Sequence, residues 1–75
     1  MEKFNISVAG IDELFNFQVV NNGGDKCEYE VFAGNNLVAV FEPDENEYIH
    51  ICQNPGGLDE EVIVGIADRI EAYYL

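Results

Sequence analysis

Up to Gln53 the apolar residues of this chain recur mostly with period two, and beyond Pro55 they recur with the spacing of a helix. That change of rhythm constrains the fold more than any single motif. Phe4-Asn5-Ile6-Ser7-Val8 alternates as a half-buried strand does, and Phe15, Phe17 and Val19 alternate with Asn16 and Gln18 as a second strand pairing back on the first. Cys27 to Phe32 alternates again. Leu37 to Glu42 is the most continuously apolar segment, which predicts a central strand buried on both faces, and Tyr48 to Gln53 supplies a fifth. Turn chemistry separates them: Ala9 to Glu13, the polar Gly-rich loop Asn21 to Lys26, a tight hairpin at Gly34-Asn35-Asn36, the acidic turn Glu42 to Glu47, and Asn54-Pro55-Gly56-Gly57.

The segment after Gly57 predicts a helix over 59–73. With Asp59 as N-cap, Leu58 and Ile63 take the two positions of a hydrophobic staple, and Glu60 and Glu61 sit in the first turn, where the helix dipole favours anions. Val62, Ile63, Ile66, Ala67, Ile70, Tyr73 and Tyr74 share one face; Glu60, Glu61, Asp68 and Glu71 take the other, with Val64 among them. Gly65 costs about 1 kcal/mol relative to Ala inside a helix, and the wheel gives no reason for it. The expected architecture is a single domain, 1–75, of the α+β class: an antiparallel four- to five-stranded β-meander with one C-terminal amphipathic helix packed on one face.

Charge narrows the function classes. Fifteen Asp and Glu face three basic residues, Lys3, Lys26 and Arg69, for a net charge of −12 in 75 residues. Nucleic acid and anionic membrane are excluded as expected partners, because those contacts rest on Lys and Arg meeting phosphate. With 48% hydrophobic residues and nine aromatics the chain is expected to fold despite its charge, and added salt is expected to stabilise it by screening self-repulsion. The start, Met1-Glu2-Lys3-Phe4-Asn5, lacks a basic region followed by an apolar stretch, so the expected location is cytoplasmic.

The two cysteines are expected as reduced thiols. In a regular meander Cys27 begins the third strand and Cys52 ends the fifth, about 9–10 Å apart across the intervening strand. A disulfide needs Cα atoms within about 7 Å, so none is expected. His50 and Cys52 project from one strand face and form half of a zinc-type ligand set, but nothing else in the chain has ligand spacing, so no metal is expected. The acidic turn at 42–47 lacks the EF-hand pattern and reads as solvated. Asn22-Gly23-Gly24-Asp25 lacks the Lys and Ser/Thr of a phosphate loop, and no cofactor is implied. With a single Ser and no Thr, and with no nucleophile placed beside a base, the chain does not read as an enzyme.

One helix covers only one sheet face. If Tyr29, Val31, Val38, Val40, Ile49 and Ile51 turn to the helix, the opposite face carries Glu28, Glu30, Phe32, Leu37, Ala39, Phe41, Tyr48, His50 and Cys52. Of these, Glu28, Glu30, Phe32, Leu37, Phe41, Tyr48 and His50 make the candidate interaction surface. Either the N-terminal hairpin folds over that face or it is an interface. A register slip of one residue exchanges the two faces.

Phe41-Glu42-Pro43-Asp44, with Leu58-Asp59-Glu60-Glu61-Val62 and Ile66-Ala67-Asp68-Arg69-Ile70-Glu71 after it, resembles a group of short bacterial proteins in which a strand-rich body ends in an acidic-capped helix. The resemblance covers roughly the last 40 residues. It implies the same fold and carries over no functional residue. The functional expectation is a small acidic, non-catalytic protein-binding module that recognises a basic partner. The alternative is a structural or scaffolding homo-oligomer, a homodimer in its simplest form, pairing through a sheet edge or the second face.

Overall fold

The computed structural model describes residues 2–24 and 26–74; Asp25, in the expected Gly-rich loop, lies outside the described residues, as do Met1 and Leu75. Five strands, β1 (Glu2–Ala9), β2 (Leu14–Asn21), β3 (Tyr29–Ala33), β4 (Asn36–Pro43) and β5 (Ile49–Gln53), precede one helix, α1 (Glu60–Tyr74). They form a single antiparallel sheet in sequential order, the expected meander. The helix packs most closely on β1 and β5, the two strands at opposite edges, so the sheet curls around it. No helix among the described residues is long and apolar enough to cross a membrane.

The core lies between that concave face and α1. Ile6, Val8, Phe17, Val19, Val31, Ala39 and Phe41 from the strands meet Val62, Ile66 and Ile70 from the helix. The Asp59 carbonyl accepts the first helical hydrogen bonds, from Val62 and Ile63, as an N-cap carbonyl does. Leu58 and Ile63 both pack against the core, as the staple expects. At the other end, Tyr73 stacks on Phe4 with ring centroids 3.7 Å apart, and both terminal tyrosine hydroxyls donate to the Glu2 carboxylate. The end of the helix is therefore tied to the start of β1.

The close approach of α1 to β1 explains Gly65. A Cβ at that position would lie 2.5 Å from Val8 Cγ1, so the missing side chain is what lets the two elements meet.

The expected face assignment fails in β4. Val31 pairs with Ala39 but Phe32 pairs with Leu37, leaving Val38 as an extra residue in a bulge. Val38 packs towards the core, and its carbonyl accepts from the Gly56 amide. Alternation then resumes one residue out of phase. Ala39 and Phe41, expected on the outer face, are fully buried in the core, and Val40, expected under the helix, points the other way. The N-terminal hairpin does not fold over the second face either. It extends the sheet in plane, with an uninterrupted register from Glu2↔Asn21 to Ala9↔Leu14.

Candidate functional site

The outer face divides into two halves. Across β1 and β2 it is polar: Asn5, Ser7, Asn16 and Gln18 are exposed, and the Ser7 hydroxyl donates to Asn16 Oδ1 at 2.8 Å. Across β3 to β5 it is apolar and acidic. Cross-strand pairing runs Lys3–Val20–Glu30–Val40–Gln53 in one row and Gln18–Phe32–Leu37 in the next. Val20 and Val40 are buried although no helix covers them; their neighbours in the sheet shield them.

The sequence-derived surface is partly assembled. Glu30, Phe32 and Leu37 lie together, half-buried, on this face. An open depression of about 350 Å³ runs over Gln18, Val20, Glu30 and Phe32, with Lys3 at its side. Glu28 sits one residue ahead of β3, half-buried, and its carbonyl accepts from the Asn22 amide. Tyr48 is exposed in the β4–β5 connection. Phe41 is removed from the surface altogether, because the Val38 bulge turns it into the core.

His50 is exposed and engaged. Its Nε2 lies 2.8 Å from Asp44 Oδ2, while Asp44 Oδ1 accepts from the Asn46 and Tyr48 amides at 2.8 and 2.9 Å. These bonds, the His50 one foremost, hold the Asp44 carboxyl below its ordinary value. Asp44 therefore organises a loop in which Glu47 adopts a left-handed backbone with φ 68°. The acidic turn is more than solvated charge: one of its acids is a structural acceptor.

The cysteines overturn the expected separation. Cys27 and Cys52 form a disulfide with Cα atoms 5.8 Å apart. Two local departures from regular strand geometry bring them together. Cys27 is not part of β3; its φ of 50° turns the chain ahead of Tyr29. Cys52 is itself an extra residue: Ile51 pairs with Phe41 and Gln53 with Val40, so Cys52 has no partner on β4. The in-plane spacing of two strands thus does not apply. The bond also removes the support that reduced thiols would lend to a cytoplasmic location, because disulfides persist in oxidising compartments.

A third group lies against the bridge. Glu42 Oε1 lies 3.4 Å from Cys27 Sγ and 3.0 Å from Cys52 Sγ, and all three residues are half-buried. A disulfide sulfur carries no proton, so neither contact is a hydrogen bond while the bridge is closed. Sequence spacing puts Glu42 in a turn and Cys52 beside His50. The fold instead brings Cys52 to Cys27 and Glu42, and His50 to Asp44.

On the helix side, a cleft of about 210 Å³ lies between α1 and β5. Of its two carboxylates, Glu47 and Glu71, the latter accepts from the Ile49 amide at 2.9 Å. The helical wheel sets Glu71 among the solvated acids; it reaches the edge strand instead.

No family model matches the chain, no curated protein matches it, and no solved structure matches it.

Proposed function

We propose that this chain is a small acidic, non-catalytic protein-binding module whose outer sheet face receives a basic segment of a partner protein. One observation carries the reading: Phe32 and Leu37 lie beside Glu30 on a face that no element among the described residues covers, in a chain with three basic residues against fifteen acids. Among the described residues, His50–Asp44 is the only contact within 4.0 Å between a basic and an acidic side chain. An Arg or Lys stem laid over Phe32 would bury apolar surface while its head reaches Glu30. The net charge of −12 would speed the encounter in a salt-dependent way.

Amide-shift mapping by NMR tests this, using short peptides that alternate Arg with Leu and acidic peptides of the same length. Shifts should concentrate on Glu30, Phe32 and Leu37, weaken with salt, and disappear in Phe32→Ala and Glu30→Lys. Shifts spread evenly over the acidic surface would refute a localised site.

A second reading has its own observation. β1 is an eight-residue edge strand with no strand on its outer side among the described residues, a template for pairing with another copy. Sedimentation at two salt concentrations separates the readings. A dimer that persists in both favours β1–β1 pairing, and a monomer leaves the basic-partner reading standing.

A further inference from the structure

We propose that Cys27, Glu42 and Cys52 form a thiolate–carboxylate site for a Zn²⁺-class cation, which opens when the disulfide is reduced. Three chain segments bring the donors together: the turn before β3, the strand β4, and the bulge in β5. The bridge holds the two sulfurs together and Glu42 Oε1 lies beside both, so all three ligand atoms fall within 4.8 Å of one another. Two thiolates with one carboxylate is a donor set for Zn²⁺ and its softer relatives rather than for Ca²⁺ or Mg²⁺, which take oxygen. Solvent would complete a tetrahedral fourth position.

Glu42 is the observation that a structural disulfide leaves unexplained. A half-buried carboxylate oxygen presses against both sulfurs, yet the closed bridge offers it no proton. In the reduced chain the same oxygen has two uses. It can accept one S–H, or it can join both thiolates around a divalent cation that neutralises most of their combined charge.

Opening takes two electrons and two protons: a low-molecular-weight dithiol is oxidised to its disulfide while Cys27–Cys52 becomes two thiols. Binding then releases those two thiol protons as Zn²⁺ takes both sulfurs. Oxidation and metal binding exclude each other, so the bound cation would protect the thiols from re-oxidation. His50 stays outside the set: neither ring nitrogen lies with the three clustered donors, and its Nε2 is engaged by Asp44.

Co²⁺ is the probe, added anaerobically to the full chain after reduction and removal of the reductant. The reduced protein should take up one Co²⁺ per chain, with a thiolate-to-metal charge-transfer band that Zn²⁺ abolishes. The oxidised protein should show no band. Cys27→Ser and Cys52→Ser should each lose binding. Glu42→Gln should keep the thiolates but weaken affinity by roughly tenfold or more, since even indirect partners of a metal carry effects of that size. His50→Ala should bind as the parent does.

Several results would overturn the proposal. One is a reduced chain without the band. Others are Glu42→Gln binding undiminished, or His50→Ala losing the metal. Far-UV circular dichroism guards the fold: a reduced chain that is unfolded and stays unfolded with Co²⁺ also refutes a preformed site.

Discussion

The two edges of this sheet are built on different plans. The β5 edge is short and tied down three times: Cys52 is bridged to Cys27, the Ile49 amide is taken by Glu71 of the helix, and the loop leading in is organised by Asp44. The β1 edge is eight residues long with a regular register, and its ties are a glycine contact with the helix and the tyrosine–Glu2 bonds at its start. Edge strands invite pairing with other chains unless they are shortened, bulged or covered. β5 is short, bulged and capped. β1 is open along its outer side, so any self-association is expected there and not at β5.

Removing the bridge should give the largest difference between the edges. Closing a loop with a sequence separation of 25 is worth about 3.5 kcal/mol in the chain-entropy account. Cys52→Ser should lose that much in urea denaturation, and its amide exchange should rise in β5 and the turn before β3 far more than in the hairpin β1–β2. A uniform rise would erase the contrast between the edges. Next comes Glu71→Ala, which leaves the Ile49 amide without its acceptor and should cost about 1–2 kcal/mol. Unchanged stability would mean that water replaces the carboxylate and the β5 edge is less guarded than its contacts imply.

At the other edge, Gly65→Ala sets two effects against each other. Helix propensity favours Ala by about 1 kcal/mol, whereas overpacking against a stiff Val8 costs about 1–3 kcal/mol. The net expectation is a loss of roughly 1 kcal/mol. A stabilised variant would show that β1 yields, loosening its contact with the helix.

The smallest effects should appear at opposite ends of the pH scale. Burial first, and then Glu2 beside it, push the Tyr74 hydroxyl up to about 12. A pKa raised in the fold contributes stability that is complete below the tyrosine's unfolded value near 10 and is lost as pH rises through the folded one. The helix–β1 tie should therefore weaken between about pH 10 and 12. Asp44 has the reverse sign. Its carboxyl is held low, mainly by the His50 hydrogen bond, so its contribution is complete above about pH 4 and lost as pH falls through the lower folded value. NMR signals of β1 at high pH and of the 44–50 loop at low pH should report the two losses separately. Simultaneous loss of both at either extreme would mean that the edges unfold as one unit.

The regular half of the molecule is legible in the sequence, and the cysteine cluster is not. Phe4 to Val8 and Phe15 to Val19 alternate without interruption, and the apolar residues of both strands turn to the core as half-buried strands do. The helix is readable from period, cap and staple. Glu30, Phe32 and Leu37 share the uncovered face, as the alternation of β3 and its hairpin partner expects. Phe41 and the cysteines depart from expectation, because each depends on a residue that breaks the period: Val38 shifts the phase of β4, Cys52 bulges from β5, and Cys27 turns before β3 begins. An apolar run such as Leu-Val-Ala-Val-Phe carries no mark of where one residue will be skipped, since either face accepts it.

The sequence by itself determined the elements, their antiparallel order and the acidity of the surface, because local periodicity, turn residues and composition are properties of neighbouring positions. Only the tertiary structure decided which acids are structural and which residues meet. Asp44 and Glu71 became acceptors because a loop and a helix brought amides to them. Cys27, Glu42 and Cys52 became one cluster because two bulges and a left-handed turn moved them off the regular lattice that sequence periodicity describes.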